Sequence, residues 1–323
     1  MGHAKLSAAR FRVHTEVTSL YDLETRTLHL DDSYVHYAQA GQEGTAIIIL
    51  HGWAASLKQW QWLLPILANA GYTAYAIDLL GHGQAPRLSH THAVEDYLGY
   101  LRRWIKALNI EYPIFLGHSM GSYLSLQYAL DYPGSVRGLV LVDPLYSHHQ
   151  FDRYHQFGRW LLGQPEMLGA GELIFRNIPG WLIDASHYLN PKDLGRASAA
   201  LRRQVTLDHK RADARIVQTI LIVGDLRPRL QELMVPALVT WGGYDRLLPP
   251  SSFQSLVDIL PTAQGHCFAD VGHHPHLACP DNFAELVLSF LRHIEDVSWR
   301  AASALTEVNH LWTPDTSTVR ADP

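Results

Sequence analysis

The sequence predicts an α/β fold: a mostly parallel sheet flanked by helices, with a helical segment inserted late in the sheet. Three observations predict it. Short apolar runs of strand length alternate with stretches of helical periodicity, the rhythm of βαβ units joined by right-handed crossovers. One such run, Tyr112 to Leu116, leads through Gly117-His118-Ser119-Met120-Gly121 into a helical pattern from Tyr123 to Leu130. From about Leu145 to Glu232 the strand rhythm stops and no clear buried strand is legible.

Each element has its own signal. Leu28 to Ala38 alternates around Asp31-Asp32-Ser33 as a hairpin does. Ile47-Ile48-Ile49-Leu50 is a β-branched strand, and Leu57 to Ala70 reads as a helix stopped by Gly71. Ala74-Tyr75-Ala76-Ile77-Asp78 is the next strand, followed by a helix over Val94 to Leu108 and a strand over Leu139 to Val142 ending at Asp143. The insert is rich in Trp, Leu, Tyr and Arg and is punctuated by Gly163, Gly169, Pro179-Gly180 and Pro191, so it reads as several helices. The sheet resumes at Val235, and Asp281 to Ile294 is an amphipathic final helix. The chain therefore divides into a core (25–144 and 233–296), a helical cap insert (145–232), an N-terminal extension (1–24) and a polar C-terminal tail (297–323).

Composition narrows the function classes. A chain of 323 residues accommodates one large domain with an insertion, and 47% hydrophobic with 18% charged residues is an ordinary globular balance. The net charge of −5 offers no basic footprint, so nucleic acid is not expected as a partner. No run is long enough to span a membrane, and residues 1–24 hold no apolar signal core. Leu6 stands where a myristoylation signal would carry Ser or Thr. Two cysteines, Cys267 and Cys279, do not make a disulfide framework; they flank the His273 loop, which leaves a disulfide between them open, and two free thiols in a reducing compartment are the expectation. A cytoplasmic location follows as the expectation. Nothing indicates the oligomeric state.

The G-x-S-x-G turn carries the chemistry. A serine raised on a tight strand-to-helix turn needs glycine two residues before and after it, where side chains would collide. Its hydroxyl then stands at a helix N-terminus, where the dipole favours developing negative charge.

Four further segments resemble motifs of the α/β-hydrolase superfamily. His51-Gly52-Trp53 is similar to that family's H-G-[aromatic] loop. Asp78-Leu79-Leu80-Gly81-His82-Gly83 resembles its D-x-x-G-H-G segment, with Gln84 where a small hydroxyl residue is usual. Trp241-Gly242-Gly243-Tyr244-Asp245 matches W-G-x-x-D, and Gly272-His273-His274-Pro275 matches G-H-x-P. The resemblance covers roughly residues 25 to 295 and keeps the chain order Ser, Asp, His of that fold. It implies an α/β-hydrolase sheet with an inserted helical cap, a nucleophile at Ser119, a base at His273 and an acid at Asp245. It also implies an oxyanion hole from the backbone N–H groups of Trp53 and Met120.

In that chemistry the histidine takes the serine proton and returns it to the leaving alcohol, while the aspartate fixes the histidine tautomer. Asp143 is the reserve acid, because some members of the fold place the acid after that strand. His274 and His276 read as loop or packing residues rather than the base or metal ligands; no metal and no cofactor are expected. Around a substrate, the candidate residues are His51 and Gly52 beside the oxyanion loop, His118 beside the nucleophile, and Trp160 and Phe175 in the insert. His51 and His118 also read as residues that hold or pack these loops.

The apolar insert suits a lipophilic acyl or alcohol group. The resemblance thus implies a serine hydrolase of carboxylic esters, with a small-molecule ester as its partner. Carbon–carbon bond hydrolases of meta-cleavage type, lactonases, perhydrolases and acyltransferases share the framework. Haloalkane dehalogenases and epoxide hydrolases use aspartate as nucleophile, which Ser119 disfavours. A non-catalytic small-ligand receptor is the reading furthest from the motifs.

Overall fold

The computed structural model describes residues 13–17, 24–87, 93–151, 160, 164–180, 182, 192, 199–219 and 223–311. One nine-stranded sheet organises them, in the order β1-β2-β3-β5-β4-β6-β7-β8-β9. β1 (Val13–Val17), β2 (Glu24–His29) and β3 (Tyr34–Ala40) form the antiparallel end. β3 joins β5 (Thr73–Ile77) antiparallel, and from there the sheet runs parallel through β4 (Ala46–Leu50), β6 (Ile114–His118), β7 (Gly138–Val142), β8 (Ala237–Gly242) and β9 (Ala263–Phe268). The central strands β6, β7 and β8 are buried at every residue, which is why they read as continuous apolar runs rather than as alternation.

Helices cover both faces. On one face, α2 (Val94–Ala107) and α3 (Met120–Asp131) pack Tyr97, Leu101, Trp104 and Leu126 onto Ile48, Phe115, Leu139 and Val239. On the other, α1 (Leu63–Asn69) and the C-terminal helix pack Leu63, Leu67, Phe283 and Leu291 onto Ile47, Leu116 and Val140. Alternate residues of a strand therefore feed opposite cores.

The expected hairpin is β2–β3. The expected helix over 57–70 is split into a 3-10 turn, Leu57–Trp60, and α1, because Ser56 caps the turn by accepting a bond from the Lys58 N–H. Two strands escape the sequence reading. β1 pairs with β2 inside the segment read as an extension, and β9 is an edge strand, mostly exposed and interrupted by Gly265, with no apolar alternation to mark it. The final helix also runs on well past Ile294, to Leu311, into the segment read as a polar tail. The stretch from Ser298 to Leu311 contains Ala, Leu, Arg and Glu and no Gly or Pro, so nothing local stops it.

Within the insert the described elements are helical: α4 (Pro165–Asn177), α5 (Ala199–Arg211) and 3-10 turns at Ala214–Gln218 and Arg227–Glu232. Among the described residues the interval between β7 and β8 holds no strand of the sheet, only an isolated antiparallel bridge between Ser147 and Asp225. Residues 1–12, the tail beyond Leu311, and Leu161, Leu162, Gly163, Trp181 and Pro191 of the insert lie outside the described residues. In chain order, α6 (Pro250–Ile259), the short α7 (Pro275–Ala278) and α8 (Pro280–Leu311) complete the fold. Among the described residues no helix is long and apolar enough to cross a membrane.

Candidate active site

Ser119 is held in an unusual backbone conformation, φ 50° and ψ −111°, directly between β6 and α3. A non-glycine residue there costs on the order of 1–3 kcal/mol and persists only where its surroundings enforce it. The enforcing contacts are backbone bonds: Ser119 N–H donates to Val142 O at 2.9 Å, and Ser122 Oγ donates to Gly117 O at 2.6 Å. The two elbow glycines are needed for different reasons. A Cβ on Gly117 would lie 2.5 Å from the backbone of Gly121 and Ser122, whereas one on Gly121 would strike the Leu50 carbonyl at 2.4 Å. The expected crowding within the turn thus applies to Gly117. Gly121 is instead required by the neighbouring strand β4. Met120 opens α3, so its N–H is among those a helix leaves without an internal acceptor.

His273 and Asp245 arrive from the far side of the sheet. Asp245 follows β8 and His273 follows β9, and the two meet with His273 Nδ1 2.6 Å from Asp245 Oδ2. The second carboxylate oxygen, Oδ1, accepts the N–H groups of Leu247 (2.8 Å) and Leu248 (3.0 Å), which fixes the carboxylate plane. Both side chains are buried, at 7% and 6% exposure. Accepted on its carboxylate oxygen, the proton of His273 sits on Nδ1, which leaves Nε2 as the basic atom. His118, inside the elbow, donates from Nε2 to the His273 carbonyl at 2.8 Å. That bond ties the histidine loop to the residue preceding Ser119.

Asp143, the reserve acid, ends β7 with φ 42° and is wholly buried. Its Oδ1 accepts the Gly242 N–H at 2.9 Å. Ligand atoms of Asp143, Asp245 and His273 all lie within 4.8 Å of one another, a spacing that also suits a metal ion. Within this trio His273 Nδ1 is bonded to Asp245 Oδ2, and Asp143 Oδ1 is bonded to the Gly242 N–H.

The loop after β4 closes over the elbow. Gly52 passes so close that a Cβ there would meet His118 Nδ1 at 2.7 Å and the Ser119 Cβ at 3.5 Å. His51 does not face outward: it is fully buried, with Nε2 accepting the Leu79 N–H at 3.0 Å and Nδ1 donating to Gly52 O at 2.8 Å. Burial lowers its pKa below the ordinary 6.5. His51 is therefore a neutral brace between two loops, and of its two readings the loop-holding one fits its position.

Asp78 is the hub of the adjoining segment, a role no local pattern revealed. It bonds His36 Nδ1 at 2.7 Å and accepts the N–H groups of Leu57 and Gln84, each at 2.8 Å. Burial alone would raise its pKa, but these bonds hold it below the usual carboxylate value.

His118, His274 and His276 surround His273, with ring centroids of His118 4.9, 5.0 and 4.6 Å from His273, His274 and His276. Burial drives the pKa of His118 and His276 well below 6.5, so both are neutral packing rings. His276 stacks on Trp60 with centroids 4.3 Å apart.

Of the insert residues, Phe175 is buried and packs edge-on against Trp53, centroids 5.3 Å apart. The Trp53 indole donates to Ile216 O at 2.9 Å, anchoring the loop to the insert. Trp160 is 61% exposed, on the outer surface of the insert. The insert also brings in Asp208, which sequence reasoning missed. It is buried, accepts Gln204 Nε2 at 2.7 Å, and its pKa is pushed up to about 7, mainly by burial. Cys267 and Cys279 are both free thiols.

A sharp strand-to-helix turn carrying Ser119 after the central strand β6, with a His273–Asp245 pair from the loops after β9 and β8, is the architecture of an α/β-hydrolase. A family model described as serine aminopeptidase, S33, matches residues 41–277, and the chain belongs to that family. It is 29% identical to 2-hydroxy-6-oxo-6-phenylhexa-2,4-dienoate hydrolase of Comamonas testosteroni over 81% of this chain and 93% of the relative. It is 26% identical to Lipase 1 of Psychrobacter immobilis over 83% of this chain and 84% of the relative. A solved bacterial membrane phospholipase A superposes with a TM-score of 0.70 at 21% identity, covering 85% of this chain and 87% of that one.

Proposed function

We propose that the protein hydrolyses carboxylic esters with lipophilic groups through an acyl-enzyme on Ser119, with His273 as base and Asp245 as acid. The observation that carries this reading is the His273–Asp245 pair, bonded at 2.6 Å and tied to the elbow of Ser119 by His118. Ser119 Oγ attacks the ester carbonyl while His273 Nε2 takes its proton. The tetrahedral oxyanion is held by the N–H groups of Trp53 and Met120, each worth about 3 kcal/mol in the barrier. Collapse expels the alcohol, which receives the proton from His273. Water, deprotonated by the same histidine, then releases the acid and restores Ser119. The residues Ala54, Phe175, Ala212, Ile216 and Val217 form a small apolar cluster with Trp53. That cluster borders the oxyanion loop and favours a lipophilic group there.

The test is a chain-length series of p-nitrophenyl esters, run beside a meta-cleavage diketone and an aminoacyl p-nitroanilide. The diketone is included because of the dienoate hydrolase relative, and the anilide because of the family description. The reading predicts kcat/KM rising from acetate to medium-length acyl groups and exceeding both other substrates. A falling profile, or faster turnover of the diketone or the anilide, overturns it.

A further inference from the structure

Behind the Phe175–Trp53 contact lies a separate cavity of about 280 Å³, walled by the insert and by the segment after β5. Its volume would hold several water molecules. Four cationic side chains line it, Arg87, Arg176, Lys210 and Arg215, against two acidic ones, Glu172 and Asp213.

The charges do not cancel locally. Arg215 is neutralised by Asp213 through a two-pronged bond of 3.0 and 2.7 Å. Arg87 and Lys210 donate to the neutral carbonyls of Arg211 and Ile178, with Arg87 also within the field of Asp213, and no bond is described for Arg176 among the described residues. Glu172 is engaged by the Gln218 amide at 2.5 Å. The surplus is regional: residues 145–232 hold twelve Lys and Arg against nine Asp and Glu, while the whole chain has a net charge of −5.

A second observation points the same way. His209 lines this cavity, and its Nε2 is buried without a hydrogen-bond partner among the described residues. Burial lowers the His209 pKa to about 4, so the ring is neutral near pH 7. A buried ring nitrogen without an acceptor or donor, beside three solvent-exposed cationic side chains, is a set of groups that an oxyanion would satisfy together.

We infer that this cavity binds an oxyanion, a carboxylate or phosphate group of a small ligand, held by Arg176, Lys210 and Arg87 with His209 as the buried donor. His209 and Phe175 both pack edge-on against Trp53, with centroids at 6.0 and 5.3 Å. An anion here is thus one aromatic layer from the oxyanion loop. The site stands independently of any role for Ser119.

The experiment measures binding without turnover. Calorimetric titrations of the full chain with inorganic phosphate and, separately, with succinate are run in low-salt, weakly coordinating buffer. The Arg176→Ala/Lys210→Ala double variant and the remote Lys106→Ala variant are titrated alongside. The chemical shifts of the His209 ring are followed in the wild-type protein. The expected result is saturable binding of at least one anion, a His209 shift on saturation, and about tenfold weaker binding in the double variant but not in Lys106→Ala. Which anion saturates at the lower concentration identifies the source. Absence of saturable binding of both anions, an unmoved His209 signal, or equal affinity in the double variant overturns the site.

Discussion

Ser119 stands at φ 50° because Val142 and Ser122 hold its flanking backbone and because Gly117 and Gly121 leave room for the turn. The proposed role predicts that Ser119→Ala, which keeps the fold, loses ester turnover by several orders of magnitude. Steady-state kinetics with a matched melting curve check it, and activity within about tenfold of the parent contradicts it. The neighbouring carboxylates give a sharper residue-scale test. Asp245 bonds His273 directly, whereas the bond described for Asp143 goes to the Gly242 backbone. Asp245→Asn is therefore expected to cripple kcat, by about 10⁴-fold if it acts as in serine proteases. Asp143→Asn should act mainly on stability, through the β7–β8 connection. The reverse ranking of the two kcat values would move the acid to Asp143. The motif residues themselves were legible because each is a short pattern bound to its chemistry. The partners of His51, Asp78 and His118 were not, since those bonds join segments 28, 42 and 155 positions apart.

Elements explain where sequence reading succeeded and where it stopped. Fully buried parallel strands announce themselves as apolar runs, and β4, β6, β7 and β8 were each legible for that reason. The edge strand β9 is mostly exposed and carries no such run, so only pairing with β8 reveals it. The long continuation of α8 was missed because residues 298–311 were read as a polar tail, although half of them are apolar and the stretch carries Ala, Leu, Arg and Glu with no Gly or Pro. Within the insert, α5 presses Asp208 into the protein beside Gln204. Its pKa of about 7 against an ordinary 3.8 means the folded state keeps a proton that the unfolded state has lost between those values. Stability from this group therefore falls as pH rises from 3.8 to about 7, and the cost is fully present above 7. Asp208→Asn is expected to raise the melting temperature more at pH 8 than at pH 5. A pH-independent difference would contradict the assignment. For substrate choice, each added methylene seated against the Phe175 cluster is worth about 0.8 kcal/mol until the space fills. Phe175→Asp should accordingly weaken medium-length esters more than acetate. An equal loss on both would remove the cluster from the substrate path.

At the scale of the whole molecule, buried imidazoles set the acid limit. His51, His118 and His276 are neutral in the fold, with pKa values lowered from 6.5 by burial. Below 6.5 the unfolded chain binds protons that the folded chain refuses, so stability drops as pH falls, by up to about 1.4 kcal/mol per pH unit for each group. Asp208 opposes this, because the fold keeps its proton, while His209, its pKa lowered to about 4, acts in the same direction as the three histidines. The melting temperature should fall between pH 6.5 and pH 4.5, and a flat or rising trend would contradict the buried neutral state. The nine-stranded sheet ties these parts together: Ser119 follows β6, Asp245 follows β8 and His273 follows β9, all within one run of four adjacent parallel strands. The claim on which the function rests is that Ser119 becomes acylated. Its most direct measurement is intact-protein mass spectrometry after treatment with a fluorophosphonate, followed by peptide mapping and by rapid quench during turnover of a p-nitrophenyl ester. The account predicts a single adduct on the peptide carrying Gly117 to Gly121, absent in Ser119→Ala and in the wild type blocked by prior ester acylation. An adduct on another residue, or ester turnover that continues undiminished in the fully labelled protein, would contradict it.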